Sequence, residues 1–313
     1  MSVGNKGMSK KATCKRPLYF FGDDSDGLAS FLLLYKYKRD GVGVVVKAAP
    51  NLDTRFLKKV RECEPDKIFL LDIPLVDPKF IDAVKCPMIW IDHHPPVKRE
   101  KVKYFNPRLY EKEDNTATSE LCYHAVEQNL WVAAIGIVGD WQLSAVTKAF
   151  SKKHPELLPP TIKKPEKALF ETKLGELIRM CQFLLKGPTQ KVIQSIKILT
   201  RIDDPYELLN GETSRSRLLR GRFRQIDEQY DELVSLAKKQ AGKDRYLIFT
   251  YHENKMSFSG ELSNELLYRY PEKVIIVARE KSGEMKCSFR SAHPDIHLPS
   301  VIEKALVDVT GYG

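Results

Sequence analysis

The sequence lacks several features that mark whole classes of protein. No run of about 18 apolar residues occurs in its 313 residues, so no segment is long enough for a transmembrane helix. Its six cysteines are scattered, and none forms a Cys-x-x-Cys pair that would indicate a zinc site or a disulfide framework. Internal repeats and low-complexity tracts are also missing. These absences predict a cytoplasmic protein with reduced thiols and no membrane partner.

Acidic residues are too few to balance the basic ones. Lys and Arg number 51 against 41 Asp and Glu, which gives a formal net charge of +10. This excess favours polyanionic partners, although part of it lies in residues 1–16, a basic leader that we expect to be disordered. The leader has no apolar stretch and is therefore not a signal peptide. Charge alone leaves a nucleic-acid substrate and an ordinary basic protein equally open.

Apolar runs alternate with helical patterns over the first half of the chain. Runs at 18–21, 41–46, 67–71 and 88–91 have the length and composition of buried strands, and helical patterns lie between them. This alternation predicts an α/β fold with a doubly wound, mostly parallel sheet.

Three of these predicted strands end in acidic residues. The side chains at the three ends are Asp24, Asp26, Asp72, Asp92, His93 and His94. The carboxyl ends of parallel strands share one edge of a sheet, where ligands bind. One Asp alone would more often cap the following helix, but three acidic ends with two histidines make coincidence unlikely. Because clustered carboxylates resist ionising together, we expect a bound divalent metal ion.

Two further features extend this candidate site. Adjacent residues of an extended segment point to opposite sides, so we expect one of His93 and His94 to ligate a metal and the other to contact a phosphate. The apolar run 131–138 leads to Asp140, a fourth candidate acid, and its pattern leaves helix and strand open.

The second half of the chain predicts helices followed by a smaller α+β domain. Helical patterns at 168–185 and 190–200 precede a long amphipathic helix at 218–241. Five arginines crowd the start of that helix, where they form either a solvated face or an edge that grips phosphate. They are Arg215, Arg217, Arg220, Arg222 and Arg224.

The order of motifs resembles the DHH phosphoesterase superfamily, which includes RecJ-type nucleases, nano-RNases, cyclic-dinucleotide phosphodiesterases and family II inorganic pyrophosphatases. The resemblance covers residues 17–145. Its four motifs are Asp24-x-Asp26-Gly27, Asp72 after a strand, Asp92-His93-His94 and Gly139-Asp140. The segment Cys287-Ser288-Phe289-Arg290-Ser291 is similar to the substrate-binding strand of the accessory domain that accompanies many DHH domains. Residues 308–313 are similar to the lead-in to that domain's glycine- and histidine-rich loop.

The resemblance implies a role for each matched residue. The ligands of one divalent ion, manganese or magnesium, would be Asp26, Asp72, His93 and Asp140. The ligands of a second ion would be Asp24 and Asp72, with Asp72 shared. The catalytic pair would be Asp92, which orients His93, and His94, which contacts the scissile phosphate. The substrate contacts would be Ser288, Arg290 and Ser291.

Two departures from the family pattern bear on activity. The family usually carries a His two or four positions before the first Asp, where this chain has Gly22 and Phe20. Neither can ligate a metal, so we expect one metal site to be weakened, or to use Asp23 or water instead. The chain also stops at Gly313, where the family's loop would begin, which fits a truncated chain or a trimmed product.

These features favour a metal-dependent phosphodiesterase that hydrolyses single-stranded DNA, RNA or short oligonucleotides by two-metal-activated water. It would be a RecJ-like exonuclease or a nano-RNase. One alternative is a catalytically weakened RecJ-like scaffold subunit of a replication or repair complex, and another is a cyclic-dinucleotide phosphodiesterase. The expected segments are a leader (1–16), a DHH catalytic domain with a helical extension (17–205), a connecting helix (206–242) and a C-terminal accessory substrate-binding domain (243–313).

Overall fold

The computed structural model describes residues 16–47, 51–252 and 256–307. The chain forms two compact units that divide between Thr147 and Lys148. The first domain expected from the sequence ends later, at residue 205, and that boundary stays a prediction. Within the described residues, no helix combines the length and apolar character needed to cross a bilayer.

The first unit is an α/β domain. Its strands are β1 (Leu18–Gly22), β2 (Val42–Val46), β3 (Asn51–Leu52), β4 (Ile68–Leu71), β5 (Leu75–Val76), β6 (Met88–Ile91) and β7 (Lys103–Phe105). Its helices are α1 (Ser25–Lys38), α2 (Leu57–Cys63), α3 (Pro78–Ala83), α4 (Thr118–Val126) and α5 (Leu130–Gly139), and α6 (Ala145–Lys153) begins at its end.

Five of these strands form one sheet in the order β2-β1-β4-β6-β7. Every pairing in it is parallel, so the doubly wound parallel sheet expected from the sequence is confirmed. The chain passes from β1 to β2 on one side and then places β4 on the other side of β1. In doubly wound sheets, ligands bind outside the carboxyl ends of the strands at such a reversal.

Strand β1 is buried on both faces. Tyr19, Phe20 and Phe21 are all 0% exposed, which is why the strand is a continuous apolar run without alternation. The ring of Phe20 packs edge-on against Phe56 and Phe80. This packing fixes the end of β1 and therefore the acidic loop that follows it.

The second unit contains a helical part and a small sheet. Its helices are α7 (Pro165–Glu171), α8 (Lys173–Leu184), α9 (Thr189–Leu199), α10 (Pro205–Asn210), α11 (Ser214–Gln240), α12 (Ser259–Arg269) and α13 (Leu298–Ala305). Its strands are β8 (Tyr246–Tyr251), β9 (Val274–Lys281) and β10 (Glu284–Arg290), in the order β10-β9-β8. The small C-terminal α+β domain expected from the sequence is therefore confirmed.

Local differences from the expected elements have physical causes. The run 131–138 forms helix α5, and it is apolar all round because every side of it is buried. The pattern at 168–185 is two helices, since Thr172 interrupts it and caps α8 through its side chain. Helix α11 begins at Ser214, four residues earlier than expected, because Thr213 and Ser216 form a capping box.

Candidate metal centre

Side chains from three strand ends and one helix end meet at the carboxyl edge of the parallel sheet. Their ligand atoms form two groups, within each of which all atoms lie within 4.8 Å of one another. One group is Asp72, His93 and His94, and the other is Asp26, His93 and Asp140. His93 belongs to both groups, so it links the end of β4 to the end of α5.

The loop after β1 turns tightly into α1. The Asp24 carboxylate accepts a hydrogen bond from the Gly27 amide at 2.9 Å and caps the helix. A Cβ on Gly27 would lie 2.6 Å from the Gly22 carbonyl oxygen, so only glycine fits this turn. The result leaves Asp24 exposed and places Asp26 in the interior, 2% exposed.

Asp26 also caps helix α4, which lies far away in the sequence. Its two carboxylate oxygens accept hydrogen bonds from the amides of Thr118 and Ser119, at 2.8 and 2.9 Å. The N-cap residue of α4 is Ala117, which offers no side-chain acceptor. Since each carboxylate oxygen has more than one lone-pair direction, this capping is compatible with metal ligation.

Asp72 occupies the centre of the cluster with an unusual backbone. Its φ of 54° is left-handed, a conformation that Asp tolerates better than most residues. Its carbonyl oxygen would lie 2.6 Å from a Cβ placed on Gly22. With Phe20 in the hydrophobic core, neither position that carries His in the family has room for a ligating imidazole in this backbone.

The two histidines approach the same carboxylate. Nε2 of His93 lies 3.5 Å from Oδ1 of Asp72, and Nδ1 of His94 lies 3.8 Å from the same oxygen. The expectation that the two side chains point to opposite sides is therefore wrong. Strand β6 ends at Ile91, so the alternation of a pleated strand does not extend to residues 93 and 94.

Asp92 holds His94 and not His93, which corrects the role implied by the resemblance. Its carboxylate accepts hydrogen bonds from Nδ1 of His94 at 2.8 Å and from the His94 amide at 3.1 Å. Nδ1 of His93 instead donates to the Asn115 carbonyl oxygen at 2.9 Å. Each neutral imidazole therefore keeps Nε2 as its unprotonated nitrogen.

Burial and mutual repulsion raise the pKa of the clustered carboxyl groups. For Asp26, Asp72 and Asp140 burial is the largest cause, and the charges of neighbouring carboxylates add to it. The pKa of Asp140 rises to about 8. Burial lowers the pKa of His94, but the hydrogen bond and charge of Asp92 outweigh it and the net pKa is raised. A divalent cation would relieve this repulsion.

Comparison with known proteins identifies the first unit. Residues 19–143 match the family model described as the DHH family, N-terminal domain. Over these residues the first unit is similar to the N-terminal domain of the DHH family.

Solved structures share the fold of the chain. RecJ from Thermus thermophilus in complex with Mn²⁺ matches 89% of the chain, with a TM-score of 0.63 and 14% identity, and the chain spans 45% of that protein. Exonuclease RecJ bound to manganese matches 92% of the chain and 80% of its own length (TM-score 0.51, 13% identity). The DHH domain of a protein from a family of ribosomal proteins matches 85% of the chain and 72% of its own length, with a TM-score of 0.53 and 13% identity. At these identities the likeness establishes the fold. No curated protein sequence matches the chain.

The donor set of the DHH domain fits Mn²⁺ or Mg²⁺. Carboxylate oxygens with imidazole nitrogens suit these ions better than a thiolate-preferring metal. Nε2 of His93, the nitrogen free to ligate, lies 3.5 Å from Oδ1 of Asp72. Such a separation is close to that of neighbouring ligands that each contact one ion at about 2.1 Å. The 3.6 Å distance from His93 to Asp140 involves Nδ1, which donates to the Asn115 carbonyl.

Gln142 is a site residue that sequence reasoning missed. Its side-chain nitrogen donates to Oδ2 of Asp140 and to the Asn115 carbonyl oxygen, each at 2.7 Å. Its side-chain oxygen accepts from the Ala117 amide at 3.2 Å. The Gln142 side-chain amide thus connects Asp140 with the Asn115 carbonyl, which also accepts the hydrogen bond from His93. No sequence motif marks it; its place two residues after Asp140 is the only clue.

Asn106 was missed because β7 is a short strand that the sequence pattern did not reveal. It donates to the His94 carbonyl oxygen at 2.9 Å and to the Tyr104 hydroxyl at 2.8 Å. The Tyr104 hydroxyl lies 3.4 Å from Asp92, and burial, followed by the charge of Asp92, raises the pKa of Tyr104 to about 12. These groups support the Asp92–His94 pair.

The expected substrate contacts lie in the second unit of the chain. Ser288 pairs with the Ser263 hydroxyl at 2.9 Å, and Arg290 donates to the Asn264 side chain at 2.7 Å, so both contact helix α12. Ser291 accepts a hydrogen bond from the backbone amide of residue 293 at 3.1 Å. The lead-in expected at 308–313 and all but the last residue of the expected leader (1–16) lie outside the described residues.

Proposed function

We propose that this chain is a metal-dependent phosphodiesterase that hydrolyses single-stranded or short oligonucleotides, as a RecJ-like exonuclease or a nano-RNase does. The observation that carries the proposal is the convergence of Asp72, His93 and His94 at the carboxyl edge of the sheet. The match of residues 19–143 to the DHH family supports hydrolysis of phosphate esters as the reaction class. The net charge of +10 supports a polyanionic substrate.

Two divalent ions, manganese or magnesium, would be held by the clustered side chains. The ligands of one would be Asp26, Asp72, His93 and Asp140, and those of the other would be Asp24 and Asp72. When bound, the ions would lower the pKa of the attacking water and offset the charge of the phosphate. The RecJ structures solved with manganese support this cofactor.

The protein's own groups would orient the reactants. The Asn115 carbonyl holds His93 with Nε2 toward Asp72, and Gln142 fixes the Asp140 carboxylate. Asp92 accepts the Nδ1 proton of His94, which leaves Nε2 available for a phosphate oxygen. A His94 ring protonated at both nitrogens, held by the Asp92 carboxylate, would donate a hydrogen bond to that oxygen. Ser288, Arg290 and Ser291 would bind the nucleotide in the second unit.

A hydrolysis assay tests the proposal. End-labelled single-stranded DNA and RNA, a linear dinucleotide and a cyclic dinucleotide are incubated with the full chain and Mn²⁺, and the products are resolved. We expect the wild-type protein to cleave a linear substrate and Asp140→Asn to lose that activity. Asp82→Asn removes an exposed acid of the same unit and serves as the matched control. Equal product from the wild type and Asp140→Asn would contradict the proposal.

A non-catalytic scaffold subunit of a replication or repair complex is the second candidate. The crowding at Gly22 and the burial of Phe20 favour it, because they remove the imidazole that the family usually supplies there. Both candidates predict metal binding, but only the phosphodiesterase predicts turnover. Tight Mn²⁺ binding measured by calorimetry, together with no cleavage of any of the four substrates, would support the scaffold.

A further inference from the structure

The five arginines at the start of α11 differ in the groups that they contact. Arg215 forms an ion pair with Glu207 at 2.8 Å. Arg222 donates to the carbonyls of Lys186 and Lys191 and to the Ser195 hydroxyl. These two arginines therefore hold the helices of the second unit together. The other three are Arg217, Arg220 and Arg224.

A groove lies between α9 and α11 with a volume of about 450 Å³. Its charged lining residues are all basic, and no Asp or Glu among the described residues lines it. The basic residues are Lys186, Lys191, Arg217 and Arg222. We refer to this cavity as the α9–α11 groove. A cleft lined by charges of one sign attracts ligands of the opposite charge.

Three of these four cations have no acidic partner among the residues that the structure describes, and one of the three, Arg222, already donates to two carbonyls and a hydroxyl. Lys186 pairs with Glu261 at 2.6 Å. Arg217 donates only to neutral groups, the carbonyls of Gly211 and Glu212 and the Ser214 hydroxyl. The Lys191 ammonium group forms no ion pair or hydrogen bond with the described part of the chain. Lys191 and Arg217 are thus available to an anionic ligand.

The start of α9 contributes further positive potential to the groove. The helix begins after Pro188, which provides no side-chain cap, and its first turn contains no acidic residue. Gly187, Pro188 and Lys191 all line the groove. Uncapped backbone amides at a helix start favour phosphate groups.

Gly221 widens the groove at the middle of its α11 wall. A Cβ added there would meet no described atom within 4 Å, so packing does not require glycine at this position. Glycine inside a helix costs about 1 kcal/mol relative to alanine. The residue thus leaves free space in the groove at the expense of helix stability.

We propose that the α9–α11 groove binds the sugar-phosphate backbone of single-stranded nucleic acid, in addition to the metal centre. This rests on the proposed function only in the choice of ligand, since binding requires no catalysis. Among the described residues, no aromatic side chain lines the groove, whereas three glutamines do. The contacts would therefore be made with phosphates and would not depend on base sequence.

A binding assay without catalysis tests this inference. Fluorescence anisotropy measures the affinity of the full chain for a labelled oligothymidylate in EDTA at several salt concentrations. Gly221→Trp fills the groove and is expected to weaken binding about tenfold, whereas Gly221→Ala is expected to bind as the wild type does. Thermal melting checks that both variants are folded.

Charge removal gives an independent readout if Gly221→Trp does not fold. The double variant Lys191→Gln/Arg217→Gln should lower the slope of log affinity against log salt by about 1.4, since each phosphate contact on a single strand contributes about 0.7. The control Lys238→Gln/Lys239→Gln removes two exposed charges from the other end of α11 and should leave the slope nearly unchanged.

Several results would overturn the inference. One is an equal loss of slope in both double variants, and another is wild-type affinity in Lys191→Gln/Arg217→Gln. Competition by polyglutamate as effective as that by the oligonucleotide would assign the groove to an acidic protein segment instead.

If Asp140→Asn abolishes cleavage while the groove variants bind normally, the groove fails and the proposed function stands. If the groove variants weaken binding as expected but the wild type cleaves no substrate, the groove stands and the proposed function fails.

Discussion

At the residue scale, the cluster depends on one strained aspartate. Asp72 combines a left-handed backbone with contacts to His93 and His94 and a 3.4 Å contact to the Thr118 hydroxyl. Its carbonyl oxygen lies so close to Gly22 that no side chain fits there. Strain at a residue with several polar partners is typical of functional sites.

Gln142→Ala is expected to weaken Mn²⁺ binding about tenfold, the size of effect typical of groups that hold a metal ligand in place. The change removes the bond to Asp140 and the bond to the Asn115 carbonyl that also receives His93. Calorimetric titration measures the affinity. Gln128→Ala, on the exposed surface of the same unit, is the control. Unchanged Mn²⁺ affinity in Gln142→Ala would show that Gln142 does not position the ligands.

Gly22→His restores a histidine of the family pattern, yet we expect it to destabilise the protein by about 1–3 kcal/mol through overpacking. Its Cβ would lie 2.6 Å from a backbone oxygen. Thermal melting in EDTA compares it with Gly260→His, the same substitution where a Cβ meets no described atom within 4 Å. A fully stable Gly22→His protein that binds Mn²⁺ more tightly would contradict the steric argument.

At the element scale, helix α4 starts on the carboxylate of Asp26, a residue of α1. Asp26→Ala and Asp140→Ala both remove a charge from the crowded cluster, but only Asp26→Ala also removes two bonds to the α4 amides. We expect Asp26→Ala to be less stable than Asp140→Ala by about 1 kcal/mol, the usual cost of a lost cap. Urea unfolding in EDTA measures the difference. Equal stabilities would mean that the cap contributes little.

The elements also show how far the sequence could predict the site. Strands β1, β4 and β6 were predictable because each is a short apolar run, and the acids that follow these runs placed Asp26, Asp72 and His93 at one sheet edge. The partner of Asp92 was not predictable, because it depends on the backbone after Ile91. Strand β7 is too short for a detectable pattern, so Asn106 at its end was missed. Long-range bonds such as Asp26 to α4 leave no local signal.

At the scale of the whole molecule, the cluster should make stability depend on pH. Burial, with neighbouring carboxylates next, raises the folded-state pKa of Asp26, Asp72 and Asp140 above the unfolded value of about 3.9. The folded protein then binds more protons than the unfolded chain, so these groups make stability fall as pH rises from about 4 to about 8.

Bound Mn²⁺ should oppose this loss, so its stabilising effect should be larger at pH 8 than at pH 6. Thermal melting with EDTA and with Mn²⁺ at both values measures the effect. In Asp140→Asn, whose side chain cannot ionise, the pH dependence in EDTA should be smaller. A shift in Tm with Mn²⁺ that is equal at both pH values would argue against proton release from the cluster.

Anomalous scattering from a manganese-soaked crystal tests most directly whether the cluster at the carboxyl edge of the sheet holds divalent ions. The expected result is an anomalous peak about 2.2 Å from the Asp72 carboxylate and Nε2 of His93, with Asp26 and Asp140 completing its ligands. Absence of any peak at these residues in a well-ordered soaked crystal would contradict the claim.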